Sequence, residues 1–306
     1  MAKSPIRKIA FQGTGVMGAP MAGHLARAGF ALTAWNRTSE KARALTGEGA
    51  RIASKPSEAV QDADTVITML TDGAAVDEVI FGLGCAEAAP PGALFIDCSS
   101  IAPALAREHA ARLTGLGRSQ IDAPVSGGES GARAASLAIM VGGEAAAVER
   151  ALPVLSCLGQ VTRVGLNGAG QLAKLANQAI VGITIAAVSE ALLLASAGGA
   201  DPAAFRQAVS GGFASSRVLD EHGARMIKRD FVPGGRCSVH LKDMDNILTA
   251  ASEFGIDLPL CRRIRAQFAA LTNDMGRGDC DHSALLLWLE SINAPHRIGG
   301  GPDKVA

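Results

Sequence analysis

"KIAFQGTGVMGAPMAGHLARAGF", residues 8 to 30, decides how the rest of the chain is read. It opens on an apolar run of strand type, turns on Gly13, Gly15 and Gly18, and continues into a stretch where Met17, Met21 and Leu25 share one helical face. Gly13-Thr14-Gly15-Val16-Met17-Gly18 is thus a GxGxxG arrangement in the context it requires, behind a strand and opening a helix. The glycines permit a tight turn, close approach of backbone to a pyrophosphate, and close packing of helix on strand, while the helix N-terminus offers its N–H groups to phosphate. All six residues are therefore candidate contacts of a dinucleotide.

The second strand, "ALTAWN", runs out at Asn36, Arg37 and Thr38. A site built for NAD places a carboxylate there for the ribose 2′-hydroxyl. Nothing in this trio repels a 2′-phosphate, and Arg37 can pair with one through its planar fork. NADP(H) is the expected cofactor, with NAD(H) not barred.

Outward from this stretch, short strand-like runs alternate with alanine-rich helical ones: "KIAFQ", "ALTAWN", "TVITML", "ALFIDC", "QIDAPV", "LAIMVG" and finally "QVTRVG" (160 to 165). That alternation builds a Rossmann-type, doubly wound α/β sheet over residues 1–165. From 166 to 295 the chain reads as helices only, broken by "AGGADP", "SGGF" and "VPGG". The expected architecture is α/β then all-α, joined by a long helix from about Gly170 to Ala197, about 40 Å at 1.5 Å per residue. Residues 296–306, "HRIGGGPDKVA", read as a frayed tail.

Composition narrows the function classes. With 306 residues and 48% hydrophobic content the chain can bury two cores. Lys+Arg and Asp+Glu both number 29 and no basic block occurs, which speaks against nucleic acid and anionic membrane as partners. The opening "MAKSPIRKIAFQG" lacks an apolar core of export-signal length, so a cytoplasmic protein is expected. The apolar stretch 179–197 is interrupted by Ser189 and Glu190 and suits a core helix better than a membrane span. Cys85, Cys98, Cys157, Cys237, Cys261 and Cys280 form no CxxC, and the histidines show no metal-binding spacing, so neither a metal nor a disulfide framework is expected. The partners left are small molecules and copies of the chain itself, as a homodimer or homotetramer.

Three further segments, "DAPVSGG" (122 to 128), "GAGQLAKLANQ" (168 to 178) and "LKDM" (241 to 244), follow the glycine loop in the order and spacing of one family. The chain resembles the β-hydroxyacid dehydrogenases from about residue 6 to about residue 290. The resemblance implies a cleft active site between a Rossmann domain and an all-α domain. It also implies hydride exchange between a nicotinamide cofactor and a small 3-hydroxy acid or semialdehyde, with Lys174 catalytic. It assigns Ser126, Gly127 and Gly128 to the substrate carboxylate, Asn177 and Gln178 to substrate hydrogen bonds, and Leu70 to the cofactor. Ser100 stands near the nicotinamide where the family usually carries threonine; Lys242 reaches the cofactor and Asp243 steadies it. The alternatives to these roles are a strand-end core residue for Leu70, a turn hydroxyl for Ser100 and a surface pair for Lys242–Asp243.

The chemistry of the lysine is legible without the family. On a helix Lys174 shares a face with Asn177, Gln178 and Val181. Reduction of a carbonyl puts negative charge on oxygen and needs a proton donor within hydrogen-bond reach. An ammonium drawn partly out of water has its pKa lowered from about 10.4 toward the working range.

Two departures from the family pattern bear on substrate. Gln178 stands where asparagine is usual, and Gly235 where some aldehyde-reducing relatives carry phenylalanine, followed by Arg236. A roomier, more polar mouth is expected, with Arg236 either meeting a substrate carboxylate or hydroxyl, or simply solvated. Hydroxylated three- and four-carbon acids are favoured, 2-hydroxy-3-oxopropionate first. 3-Hydroxyisobutyrate, succinic semialdehyde, glyoxylate and four-carbon sugar acids remain open, as does a non-catalytic dinucleotide sensor.

Overall fold

A computed structural model describes residues 6–305; the first five residues, part of the stretch read as lacking an export signal, lie outside them. The chain divides into two compact units, Met1–Lys174 and Leu175–Ala306. The sequence reading sets the boundary after residue 165. The observed division falls within a helix instead, because the first turns of that helix are hydrogen-bonded to the sheet.

In the first unit the described residues form a nine-stranded sheet. Its strands are β1 (Lys8–Gln12), β2 (Ala31–Trp35), β3 (Arg51–Ile52), β4 (Thr65–Thr68), β5 (Leu94–Asp97), β6 (Ser119–Asp122), β7 (Val125–Ser126), β8 (Leu137–Gly142) and β9 (Gly159–Gly165). The order β3-β2-β1-β4-β5-β6 is parallel throughout. Strand order reverses between β1 and β4, and such a reversal opens a crevice at the strand carboxyl ends. Beyond β6 the sheet continues antiparallel into β8, to which β9 pairs in parallel and β7 antiparallel.

Both faces are covered, as a parallel sheet requires. One core gathers Ile9, Phe11, Met21, Leu25, Ile67 and Ile96; the other gathers Val66, Val76, Ile80, Phe95 and Leu113. Met21 and Leu25 come from α1 (Gly18–Arg27), and Leu113 from α2 (Pro103–Gly115). The run "QIDAPV" does not form one strand. It breaks at Ala123-Pro124, where proline has no N–H for the ladder and the Ala123 N–H goes to the Asp97 carbonyl at 2.7 Å.

α3 (Ala169–Ala197) is a continuous helix of 29 residues. By length and composition it could cross a membrane, but its Ile185, Val188 and Leu192 lie in the core of the second unit. With them pack residues of α4 (Pro202–Val209), α5 (Arg217–Lys228), α6 (Cys237–Glu253), α7 (Pro259–Ala269) and α8 (Leu285–Ile292), including Met226, Met244, Phe268 and Leu286. Asp201 and Ser216 cap α4 and α5, accepting from the N–H of Ala204 (2.7 Å) and Leu219 (3.0 Å).

The frayed tail read from the last residues is corrected by the structure. Ile298 is fully buried, Asp303 accepts from Arg229 Nε at 2.7 Å, and Lys304 exchanges backbone hydrogen bonds with Arg229 and Phe231. Glycine-rich composition hid a segment anchored by one apolar side chain and one carboxylate.

Candidate active site

The glycine loop leaves β1 at the switch point. Gly13 has φ +98°, and a Cβ there would lie 2.4 Å from the Met69 carbonyl oxygen. A Cβ on Gly18 would lie 1.9 Å from the Gly13 carbonyl oxygen, so helix and loop touch backbone to backbone. At Gly15, by contrast, a Cβ would meet nothing within 4 Å. Gly13 and Gly18 are required by packing, and Gly15 fronts open space.

That space fits a dinucleotide. No side chain caps α1, and the buried Thr14 Oγ1 has no partner among the described residues. Val16 is exposed and Met17 half-buried. Leu70 packs beside the loop, its Cδ2 2.7 Å from where a Gly13 Cβ would stand, and its N–H donates to Ser99 Oγ. Asn36 also braces the loop. Its Oδ1 accepts from Thr14 N–H (3.0 Å) and its Nδ2 donates to the Thr38 carbonyl (2.9 Å), so the amide holds the loop in shape. Arg37 and Thr38 are exposed, and among the described residues no carboxylate pairs with Arg37.

Further along the strand ends, the buried serine is Ser99 rather than Ser100. Ser99 donates its N–H to Asp97 Oδ1 (3.0 Å), to which the Thr68 hydroxyl also donates (2.7 Å); Ser100 is half-buried at the edge. Asp97 is wholly buried and its Oδ2 has no partner among the described residues. Burial drives its pKa up to about 6 against the downward pull of the Ser99 and Thr68 hydrogen bonds. A raised carboxyl pKa contributes stability below the unfolded value, which is lost as pH rises through about 6. Asp97→Asn keeps an acceptor for both donors and sheds the charge. It should therefore gain about 3 kcal/mol over the parent at pH 8 and nothing at pH 4. Chemical denaturation at pH 4, 6 and 8 checks this, and a gain independent of pH would refute it.

Lys174 is 9% exposed, one turn into α3. Ser126 ends β7, half-buried; Gly127 follows at φ +137°, which only glycine adopts without strain, and Gly128 faces open space. Ser126 Oγ and the unobstructed backbone at Gly128 are thus presented together, with Gly127 between them packed against Leu137, as a carboxylate clamp needs.

The second unit holds the other predicted groups. Asn177 Nδ2 donates to Gln178 Oε1 (3.0 Å), and Gln178 Nε2 donates to Asp243 Oδ2 (2.8 Å). Gln178 is therefore a link between an asparagine and an aspartate. Lys242 Nζ stands 3.9 Å from Asp243 Oδ1 with a side chain 35% exposed. The expected roomy mouth at Gly235 is not found: a Cβ there would lie 3.2 Å from His282 Cε1, so an imidazole fills that place. Arg236 is solvated, its side chain 61% exposed and paired loosely with Asp279 at 3.6 Å.

Sequence reading also missed a histidine cluster, because its members are far apart in the chain. The rings of His222 and His282 lie 4.4 Å apart with their Nε2 atoms at 3.1 Å, and His240 stacks edge-on to His282 at 5.4 Å. Asp281 beside them accepts from the N–H groups of Gly234, Gly235 and Ser283 and from the Ser283 hydroxyl. Burial alone would raise its pKa; His222, His282 and Ser283 together overcome that and hold it well below the usual carboxylate range. With those acceptor sites filled and Arg225 Nε at 3.5 Å, this His222–Asp281–His282 group is an internal brace.

Comparisons with known proteins give the family. Residues 8–168 match the NAD binding domain of 6-phosphogluconate dehydrogenase, and residues 168–289 the NAD-binding family of NADP-dependent 3-hydroxyisobutyrate dehydrogenase. The chain is 44% identical over 295 residues to the 2-hydroxy-3-oxopropionate reductase of Escherichia coli (strain K12), covering 95% of this chain and 99% of that protein. It is 37% identical over 288 residues to the probable mitochondrial 3-hydroxyisobutyrate dehydrogenase-like 1 of Arabidopsis thaliana, covering 94% and 86%. The solved 3-hydroxyisobutyrate dehydrogenase of Mycobacterium tuberculosis, bearing L-serine, superposes with a TM-score of 0.85 at 32% identity, covering 93% of this chain and 99% of that one. A glycine loop open at Gly15, a buried lysine on α3 and relatives that match from end to end lead to one conclusion: the chain belongs to the β-hydroxyacid dehydrogenases, nicotinamide-dependent oxidoreductases of CH–OH groups.

Proposed function

We propose that this enzyme is an NADP(H)-linked reductase of 2-hydroxy-3-oxopropionate or a closely related hydroxylated three- or four-carbon semialdehyde. The observation that carries the reading is Lys174, a buried ammonium in the same compact unit as the glycine loop. The 44% identity to a reductase of that name supports the substrate. When bound at the glycine loop, a reduced nicotinamide would supply hydride for the carbonyl carbon. Lys174 polarises the carbonyl oxygen and passes it a proton, and in reverse it accepts the proton of the alcohol. Ser126 and the backbone at Gly127 and Gly128 hold the acid group, fixing which carbon faces the cofactor. Asn177 and Gln178 orient the substrate's remaining oxygens, and Lys242 serves the cofactor. Ile180 and Leu194, 67% and 76% exposed on α3, support assembly into a homodimer or homotetramer.

The preference for NADP(H) rests on Arg37. Arg37→Glu should weaken NADPH roughly 10- to 100-fold, the worth of a charge-assisted hydrogen bond, while leaving NADH little changed. Fluorescence titration of both cofactors measures this, and tighter NADH than NADPH binding by the parent protein would overturn the preference. The substrate is tested by following NADPH oxidation with 2-hydroxy-3-oxopropionate, succinic semialdehyde and glyoxylate, and NADP reduction with 3-hydroxyisobutyrate. The highest kcat/KM should fall on the first; a clear preference for 3-hydroxyisobutyrate would favour the activity named for the M. tuberculosis structure.

A further inference from the structure

The first four N–H groups of a helix have no partner within it, and a side chain at the cap position usually serves them. At the start of α3 that position is Gly168, which has no side chain. The acceptors come instead from Asp122, at the end of β6. Gly168 N–H donates to its Oδ1 at 2.7 Å and Gln171 N–H to its Oδ2 at 2.9 Å. Gln171, fully buried, ties the same turn to the loop after β5: its Nε2 donates to the Ser99 carbonyl (2.7 Å) and its Oε1 accepts from Ile101 N–H (3.1 Å). Asn167 adds a bond from Nδ2 to the Gln120 carbonyl at 2.9 Å.

The approach leaves no room for adjustment. A Cβ on Gly170 would lie 2.5 Å from the Met140 carbonyl oxygen, and one on Gly142 would lie 2.6 Å from Asp122 Oδ1. The arrangement is also costly. Asp122 is buried and pairs in register with the buried Asp97, so two carboxyl groups are taken from water side by side. Apolar packing would dock a helix more cheaply, and what the polar version adds is a fixed position. The residue one turn beyond Gly170 and Gln171 is Lys174.

We infer that Asp122 and Gln171 are positioning residues that set where Lys174 stands relative to the carboxyl ends of β5 and β6. This rests on the reading of Lys174 as proton donor. A displacement of about 1 Å at a reacting group can cost on the order of 100-fold in rate. Gln171→Met keeps the volume and removes both side-chain hydrogen bonds; Asp122→Asn keeps one acceptor oxygen and turns the other into a donor facing an N–H.

The test uses the full chain with NADPH, its 4-deuterated form and 2-hydroxy-3-oxopropionate, with activity expressed per cofactor-binding site. Gln171→Met and Asp122→Asn should each lower kcat roughly 10- to 100-fold, leave the cofactor Kd within about twofold, and raise the primary deuterium isotope effect. A merely structural role would reduce the number of competent sites without moving kcat per site or the isotope effect, and that result overturns the inference. In a Lys174→Ala background Gln171→Met should add nothing further; an additive loss would show that it acts elsewhere. If Lys174→Ala itself turns over normally, the proton-donor reading falls. Hydrogen exchange then decides the placement alone: amides 169–174 should exchange at least about tenfold faster in Gln171→Met, and unchanged protection would end the claim.

Discussion

Lys174→Ala should lower kcat by roughly 10²- to 10⁴-fold, the range general acid–base catalysis contributes. Cofactor binding should stay within about twofold, because the function proposed above assigns the dinucleotide to the glycine loop and Arg37 rather than to this side chain. Two mechanisms could produce such a loss, and Lys174→Arg separates them. A guanidinium preserves positive charge near the oxygen but does not release its proton at working pH. If the lysine acts only by charge, Lys174→Arg retains much of the rate; if it gives up a proton, it is nearly as slow as the alanine variant. Steady-state kinetics with an NADPH titration in parallel measure both, and turnover of Lys174→Ala within a few-fold of the parent would end the proposal.

Arg229→Ala should cost the second unit roughly 3–5 kcal/mol, the usual penalty for stripping one partner from a buried ion pair. Arg229 is 2% exposed, and its Nη1 and Nη2 donate to Glu290 Oε1 and Oε2 at 2.6 and 2.9 Å. Nη1 also donates to the Ile298 carbonyl, and Nε to Asp303. Glu290, 8% exposed, would keep only the Ile298 N–H as a donor from this group. Replacing both partners by apolar residues, Arg229→Met with Glu290→Leu, should recover most of the loss, since the cost lies in the orphaned charge. Trp288 lies in the second unit and Trp35 in the first, so urea unfolding in a Trp35→Phe background reports on the affected unit. A loss below about 1 kcal/mol would mean that water reaches the site.

The fold was legible where one segment carries its own signal. β1, the glycine loop and α1 follow from periodicity and three glycines, and α3 from a long, largely apolar run without proline, each within a residue or two of the structure. β3 was invisible because a two-residue strand has no period. Among site residues, types were legible but partners were not. Asn36, a cofactor candidate by sequence, also braces the loop, and beside Ser100, the candidate for the nicotinamide, it is Ser99 that is buried. Asp122 and Gln171 sit inside motifs quoted for other residues. Their signal was a glycine at the cap of a long helix, which obliges some distant side chain to take its place. The histidine brace and the closed space at Gly235 depend on contacts between residues far apart in the chain, and no local pattern announces these.

The docked C-terminal segment has a consequence for how the chain folds during synthesis. Protein chains emerge N-terminus first, and the first unit has the whole of its sheet by Gly165. The second unit is in a different position. Arg229 waits for Glu290, then for the Ile298 carbonyl, and last for Asp303, while the Phe231 N–H finds its acceptor only when Lys304 has been added. Folding of the two units is therefore asymmetric in time: one can close behind the ribosome, and the other must carry a half-satisfied guanidinium until Asp303 has been made.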